Sequence, residues 1–321
     1  MSVKRQRVFL YLTGGLGNQM FQFAALNSVA YESEKYILEN FGNPRRNSEN
    51  LPEIFSILSE KYDLLPIKCI LPKLVEKVIG FNLRLTVGKP SSLKSIFRFM
   101  IQILSNIVIS VLAKRLFRIV FQVDAKPNRL FRNSILVGYF QVADYSQSLS
   151  GLTRDIQAIN NPELKNLIAK SKSKPLIVHL RRGDYLAEKD FGVLNVSYYR
   201  KAFLRFSTSE DFKNCNSIWV FSDDIEYARE VIQLDSEIEC QWISDIGGSA
   251  SLTLLAMSLG STFIIANSTF SWWAAQLSGN SLGVYYPQNW FMNIPVDGKL
   301  FPQHWVAIDN GFENDTNGAK L

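Results

Sequence analysis

Apolar and polar positions fall into blocks whose rhythm differs between the two halves of the chain. Val8 to Leu12 is a short apolar run that ends on Thr13-Gly14-Gly15-Leu16-Gly17-Asn18-Gln19. An apolar run of that length closed by a glycine-rich turn predicts a buried strand. From about Met20 to Glu34, Phe21, Ala24, Ala25, Val29 and the apolar residues between them predict a largely buried helix. Phe41 to Leu93 breaks into short pieces rich in Pro, Leu, Ile and Lys, and Ile96 to Val120 is long, apolar and basic. Ile135 to Phe140 predicts another strand, and Leu164 to Lys174 closes a polar helix. The pattern then becomes regular. Strands are predicted at Leu176–Leu180, Ser217–Phe221, Thr262–Ala266 and Gly283–Tyr286. Helices are predicted near Ser197–Phe206, Ile225–Val231, Ser249–Gly260 and Trp272–Leu277. Such alternation argues for an α/β fold with helices covering a parallel sheet.

Three of these strands run into polar clusters: His179-Leu-Arg-Arg-Gly-Asp184, Ser222-Asp223-Asp224, and Asn267-Ser268-Thr269-Phe270-Ser271. In a parallel sheet the strand ends share one edge, where α/β proteins bind ligands. Arginine offers five donors in a rigid fork suited to phosphate oxygens. His179 adds a donor suited to a ribose or phosphate. The hydroxyls and free N–H groups at the start of the last helix make a diphosphate seat. Ordinary capping explains the serines of one cluster, but not all three clusters together. The glycine loop is less specific. Its spacing is not Gly-x-Gly-x-x-Gly, and no Gly-Lys-Ser/Thr closes it as a P-loop; a strand-to-helix turn and a ligand loop both fit.

At 321 residues, with 47% hydrophobic residues and mean hydropathy near zero, the chain can bury a substantial core. Cys69, Cys215 and Cys240 are far apart and odd in number, so no disulfide framework is suggested. With only His179 and His304, a multi-histidine metal site is excluded. The N-terminus carries no long apolar segment of signal-peptide type, and a reducing cytoplasm is the expected location. The net charge of +6 is uneven: Lys61 to Arg132 holds 14 Lys and Arg against three acids, leaving the remainder net acidic. No zinc-finger or RNA-binding signature accompanies it, so anionic lipid or an anionic substrate fits better than nucleic acid. Phe99 to Ala113 carries no charge and is flanked by Arg98, Lys114 and Arg115. It is shorter than a membrane span. A helix packed on the body and a helix lying peripherally in the inner-membrane interface both fit.

Gly14-Gly-Leu-Gly-Asn-Gln-Met-Phe-Gln22, His179-Leu-Arg-Arg-Gly-Asp-Tyr185, Phe221-Ser-Asp-Asp224 and Asn267-Ser-Thr-Phe-Ser-Trp-Trp-Ala-Ala275 occur in that order. In this combination the chain resembles the bacterial alpha-1,2-fucosyltransferases, glycosyltransferase family eleven, over about residues 8 to 305. The arginine motif is shared with the protein O-fucosyltransferases and alpha-1,6-fucosyltransferases. The resemblance implies a GT-B-like enzyme of two Rossmann-like domains facing a central cleft. The first, 1–155, would hold the acceptor and carry a basic insertion near 61–132. The second, 156–321, would bind GDP-fucose. Arg181 would grip the β-phosphate, and His179 would meet the ribose or phosphate. Asn267, Ser268, Thr269 and Phe270 would seat the diphosphate with Asp223 nearby, and Gly15, Gly17 and Asn18 would face them.

The implied reaction passes fucose with inversion to the 2-hydroxyl of a terminal galactose, on an oligosaccharide acceptor that is free or lipid-linked. Its products belong to surface polysaccharide such as O-antigen. No Asp-x-Asp is present, and arginine takes the place of a metal ion in steadying the leaving phosphate. Asp184, Glu188 and Asp223 are the candidates for general base; Asp184 equally suits the role of orienting an arginine. Another nucleotide-sugar transferase, a fucosyltransferase of different linkage, or a non-catalytic glycan-binding module are the competing readings.

Overall fold

In the computed structural model the described residues are 6–30, 33–39, 54, 63–66, 100, 104, 118–121, 133–150, 152–187, 190–232, 238–279, 281–292, 296 and 298–312. The chain divides into two compact units, Met1–Ser150 and Gly151–Leu321. Both are α/β, each built on a parallel sheet, which is the two-domain GT-B-like plan.

In the first unit, β1 (Arg7–Tyr11) runs into α1 (Leu16–Val29), followed by β2 (Glu34–Glu39), β3 (Asp63–Pro66), β4 (Arg118–Phe121) and β5 (Ser134–Val137). The sheet order is β3-β2-β1-β5-β4, with every pairing parallel. β1 is the central strand with β5 beside it, and Val8, Leu10, Ile135 and Val137 are fully buried there. The predicted helix at Met20–Glu34 is displaced. It starts four residues earlier because Leu16 is itself core, 3% exposed. It stops at Val29, and Glu34 instead opens β2, whose Ile37 and Leu38 are buried. The basic stretch 61–132 has β3 near its start and β4 near its end, the two edge strands of this sheet. Of the uncharged segment Phe99–Ala113, only Met100 and Leu104 are described, both helical and more than half exposed. The rest of that segment, Cys69 and most of Phe41–Leu93 lie outside the described residues. Among the described residues no helix is long and apolar enough to cross a membrane.

The second unit contains α2 (Pro162–Lys170), β6 (Leu176–Leu180), α3 (Val196–Ser207), β7 (Ser217–Ser222) and α4 (Ile225–Val231). These are followed by β8 (Glu239–Ile243), α5 (Ala250–Met257), β9 (Thr262–Ile264), α6 (Thr269–Leu277), β10 (Gly283–Pro287) and β11 (Val306–Ile308). The order β11-β10-β9-β6-β7-β8, all parallel, is that of the doubly wound nucleotide-binding fold. The chain winds outward from β6 one way and from β9 the other. The switch point therefore lies between β6 and β9, where open α/β sheets bind ligands. Every residue of β6, β7 and β9 is buried, as a sheet covered on both faces requires.

Helix starts in this unit are locally encoded. Asn161, Asn195, Asp224, Ser249 and Ser268 stand before α2 to α6, and each side chain accepts a hydrogen bond from a first-turn N–H. These caps fix where each helix begins relative to its strand, and hence where the polar strand ends point.

Candidate functional site

The β6 run of Leu, Ile and Val carries His179 into the core and releases the chain at Arg181. His179 is 5% exposed. Its carbonyl accepts from the Tyr199 hydroxyl at 3.1 Å, and its ring lies 6.2 Å from that of Phe270. Its Nδ1 has no hydrogen-bond partner among the described residues. Burial, and then the charge of Arg181, push its pKa down to about 3, so the imidazole is neutral near pH 7.

The two arginines have different surroundings. Arg181 donates from Nε to Asp184 Oδ1 at 3.0 Å, and pairs through Nη2 with the same oxygen at 2.8 Å and through Nη1 with Asp223 Oδ2 at 3.1 Å. It remains 34% exposed, and Asp184 is 63% exposed. Arg182 is more committed. Its Nη1 meets Asp224 Oδ2 at 2.6 Å, and its guanidinium lies 4.2 Å from the centre of the Tyr227 ring. Asp224 also caps α4 by accepting from the Tyr227 N–H at 3.0 Å. That bond, with Arg182, holds its carboxyl below the usual carboxylate range.

Asp223 shapes the loop itself. Its Oδ1 accepts from the Arg182 N–H at 2.9 Å and its Oδ2 from the Gly183 N–H at 3.0 Å. The carboxylate thus binds two successive backbone N–H groups while also meeting Arg181. A Cβ on Gly183 would stand 2.8 Å from Asp223 Oδ2, so this approach needs a glycine.

Across the switch point, Asn267 follows β9 and is 1% exposed. Its Nδ2 donates to the carbonyls of Phe191 and Gly192 at 3.0 Å each and of Trp290 at 3.2 Å. Its Oδ1 has no partner among the described residues. Ser268 caps α6, accepting from the Phe270 N–H at 3.3 Å, and Thr269 and Phe270 are partly exposed at that helix start. The Tyr185 hydroxyl joins the two strand ends by donating to the Asn267 carbonyl at 3.0 Å. Burial pushes its pKa up to about 12, although Arg181 and Ser268 oppose the rise. The guanidinium carbon of Arg181 lies 5.8 Å from the Tyr185 ring centre. A part-exposed guanidinium and a helix N-terminus, linked through one tyrosine at a switch point, are suited to binding an anion.

The structure therefore gathers His179, Arg181, Asp184, Asp223, Asn267, Ser268, Thr269 and Phe270 at the β6, β7 and β9 ends of one sheet. Glu188 lies outside the described residues. Gly15, Gly17 and Asn18 belong to the first unit, Gly15 at the N-cap of α1 and Gly17 and Asn18 in its first turn. There Gln22 accepts from the Thr13 N–H at 3.0 Å and donates to the Thr13 carbonyl at 2.9 Å. Gln19 Nε2 donates to the Gly14 carbonyl and Gln141 Nε2 to Asn18 Oδ1, both at 3.0 Å. Gly14 has φ +81°, and a Cβ there would meet Asn18 Nδ2 at 2.7 Å. Sequence reasoning assigned no role to Tyr185, Tyr199 or Tyr227, and it read Asp224 as part of the cap that opens α4, where the structure places it. Tyr185 and Asp224 stand inside the quoted motifs, whereas Tyr199 and Tyr227 carry no local signal. Among the described residues no group of three or more His, Cys, Asp or Glu side chains is placed to hold a metal ion.

A family model described as glycosyl transferase family 11 matches residues 101–308. The chain is 29% identical over 333 aligned residues to the O-antigen biosynthesis glycosyltransferase WbnK of Escherichia coli, covering 92% of this chain and 99% of that one. It is 28% identical over 323 aligned residues to an alpha-1,2-colitosyltransferase of Escherichia coli, covering 93% and 97%. A solved structure of the fucosyltransferase NodZ from Bradyrhizobium aligns with 86% of this chain and 94% of that one, at 12% identity and a TM-score of 0.44.

Proposed function

The chain belongs to glycosyl transferase family 11, and from that premise we propose that this nucleotide-sugar glycosyltransferase moves L-fucose from GDP-fucose to the 2-hydroxyl of a terminal galactose. The observation that carries the reading is Arg181. Its part-exposed fork stands at the switch point, linked through Tyr185 to the start of α6. As the fucosyl bond breaks, negative charge gathers on the β-phosphate. Arg181 and the first N–H groups of α6 stabilise that charge without a metal ion. The galactose hydroxyl attacks from the opposite face, inverts the anomeric carbon and gives up its proton to a base. Asp184 is exposed and would suit that role only on leaving Arg181; paired as it is, it suits orienting the arginine. Asp223 already accepts two backbone N–H groups and suits the role of holding the loop. Neutral His179 and Asn267 lie beside the donor, Ser268, Thr269 and Phe270 seat its diphosphate, and the turn with Gly15, Gly17 and Asn18 serves the acceptor side.

In this reading residues 156–321 bind the donor and 1–155 hold the rest of the acceptor, a precursor of surface polysaccharide. The O-antigen relative supports that setting. The basic stretch 61–132 supports a lipid-linked acceptor at an anionic membrane face. Incubating the protein with GDP-fucose, lactose and excess chelator tests the core of the proposal. Released GDP and an alpha-1,2-fucosylated product are expected, and activity that requires added magnesium or manganese would refute the metal-free mechanism. Sedimentation with anionic vesicles at low and high salt tests the membrane contact, which should weaken with salt.

The colitosyltransferase relative favours a second reading in which the donor carries colitose. Colitose is L-fucose without one hydroxyl. Comparing kcat/KM for the two GDP-sugars separates the readings, because a site that hydrogen-bonds the extra hydroxyl strongly rejects the sugar lacking it.

A further inference from the structure

A row of aromatic side chains leads away from Arg181, and beyond its first member it has no part in joining Arg181 to α6. It begins with Tyr185. The Tyr185 and Phe191 rings are 5.0 Å apart at 55°, and the Phe191 and Phe291 rings 5.5 Å apart at 35°. All three are half-buried, with Leu186 at 63% and Met292 at 39% exposure close to them in the chain. Ligand sites are lined mainly by apolar and aromatic side chains around a few placed polar groups, which is the composition found here. The row is also held in place. Asn267 Nδ2 ties the carbonyls of Phe191, Gly192 and Trp290 to the end of β9, and the Met292 N–H donates to the Asp190 carbonyl at 3.0 Å. Two loops far apart in sequence thus present their aromatic side chains together.

We infer that Phe191 and Phe291, with Tyr185, form a platform on which the terminal sugar of the acceptor stacks through its C–H face. The inference rests on the proposed function, since a leaving phosphate on Arg181 puts the reacting sugars next to Tyr185. Charge selects the occupant. Asp190 is exposed and adjoins Phe191 in sequence. Carboxylates repel a phosphate and accept hydrogen bonds from sugar hydroxyls. The carbonyls of Phe191, Gly192 and Trp290 are engaged by Asn267 and are poorly placed to read the edge of a purine. A neutral pyranose, apolar on one face and ringed by hydroxyl donors, meets both conditions.

The test uses the full chain with lactose and octyl β-galactoside as probes. Saturating the aromatic protons should transfer magnetisation to the galactose C–H protons of lactose in the wild type and much less in Phe291→Ala. In the transfer assay the lactose KM should rise about tenfold or more in Phe291→Ala and Phe191→Ala. The GDP dissociation constant should stay within about twofold. Phe291→Leu keeps an apolar side chain but has no ring face, and should share the KM rise if the alanine variant fails to fold. An unchanged lactose KM, or an equal loss of GDP affinity, would overturn the platform. So would an affinity for octyl β-galactoside set by its alkyl chain, which would mark the row as a lipid contact. If the wild type binds no GDP, the donor reading falls, and magnetisation transfer to lactose still decides the platform.

Discussion

Both units lead a central strand out of the core into a polar turn, and the two turns are built from opposite chemistry. After β1, the chain is held by neutral amides: Gln22 clamps both backbone groups of Thr13, Gln19 holds Gly14, and Gln141 meets Asn18. After β6, it is held by charge: Asp223 binds two backbone N–H groups while Arg181 and Arg182 pair with Asp184, Asp223 and Asp224. Gln22 is fully buried, whereas Arg181 is one-third exposed. Buried amide bonds to backbone specify a shape and are costly to lose. Part-exposed ion pairs add little stability, yet they leave a guanidinium aimed and free to exchange partners. The first turn is therefore structural in its energetics, and the second is suited to binding.

The largest expected effect follows directly. Arg181→Ala should lower transfer, read as GDP release, by at least about a hundredfold. Its folded state should be nearly untouched. All six tryptophans lie in the second unit, so their fluorescence reports that unit alone. The midpoint read this way should move by less than roughly 3 °C. Arg181→Lys should stay roughly tenfold or more below wild type, because a point charge does not reproduce a planar fork. A lysine variant with normal turnover would remove the basis of the contrast.

Titration gives the next effect. The buried polar side chains named at the first turn are glutamines, which carry no proton equilibrium in the ordinary range, whereas the second unit buries His179. Its folded pKa of about 3 lies below the ordinary histidine value of 6.5. The unfolded chain therefore takes up the proton first. The stability that neutral His179 contributes is complete above about pH 6.5 and is lost as pH falls from there toward 3, at about 1.4 kcal/mol per unit. Tryptophan-detected melting between pH 7.5 and 4.5 should show this slope, and His179→Gln should flatten it. An unchanged slope in that variant would place the titrating group elsewhere.

The contrast was partly legible in the residues. β6 and its arginine loop stand out because a continuous apolar run ends abruptly on Arg181-Arg182-Gly183-Asp184. The edge strands β8 and β11 do not. One begins on Glu239 and is only partly buried, and the other is three residues long, so neither shows a strong apolar period. The end of α1 is unmarked in the residues, since no glycine or proline stands between Val29 and Glu34. What Asp223 and Asn267 do was not legible at all. Their partners come from loops 40 and 41 residues away in one case and 23 to 76 in the other. Only the completed sheet brings these groups together.

A smaller effect, on stability, is expected at the first turn. Gln22→Ala leaves the buried N–H and carbonyl of Thr13 without this partner, at a cost of roughly 2 kcal/mol. Calorimetry should show a transition lowered by roughly 4–8 °C. The tryptophan signal of the second unit should move less than the calorimetric transition. Coincident shifts would show one cooperative structure and erase the separation drawn between the turns.

The smallest effect tests whether the charges after β6 are exchangeable. Asp184 occupies two of the Arg181 nitrogens, at 3.0 and 2.8 Å, while 63% exposed. On the proposed donor assignment an incoming β-phosphate must take over part of that fork and also approach the Asp184 carboxylate. Exposed ion pairs are worth about 0.2–1 kcal/mol, so giving up this one is cheap, and removing its negative charge favours the phosphate. Asp184→Asn should therefore tighten GDP about two- to fivefold by titration calorimetry, with the gain shrinking as salt is added. It should also slow transfer if Asp184 is the base, which separates the two roles in one variant. Weaker GDP binding would mean that Asp184 positions Arg181 for the phosphate rather than competing with it, and the charged turn would then be as fixed as the amide one.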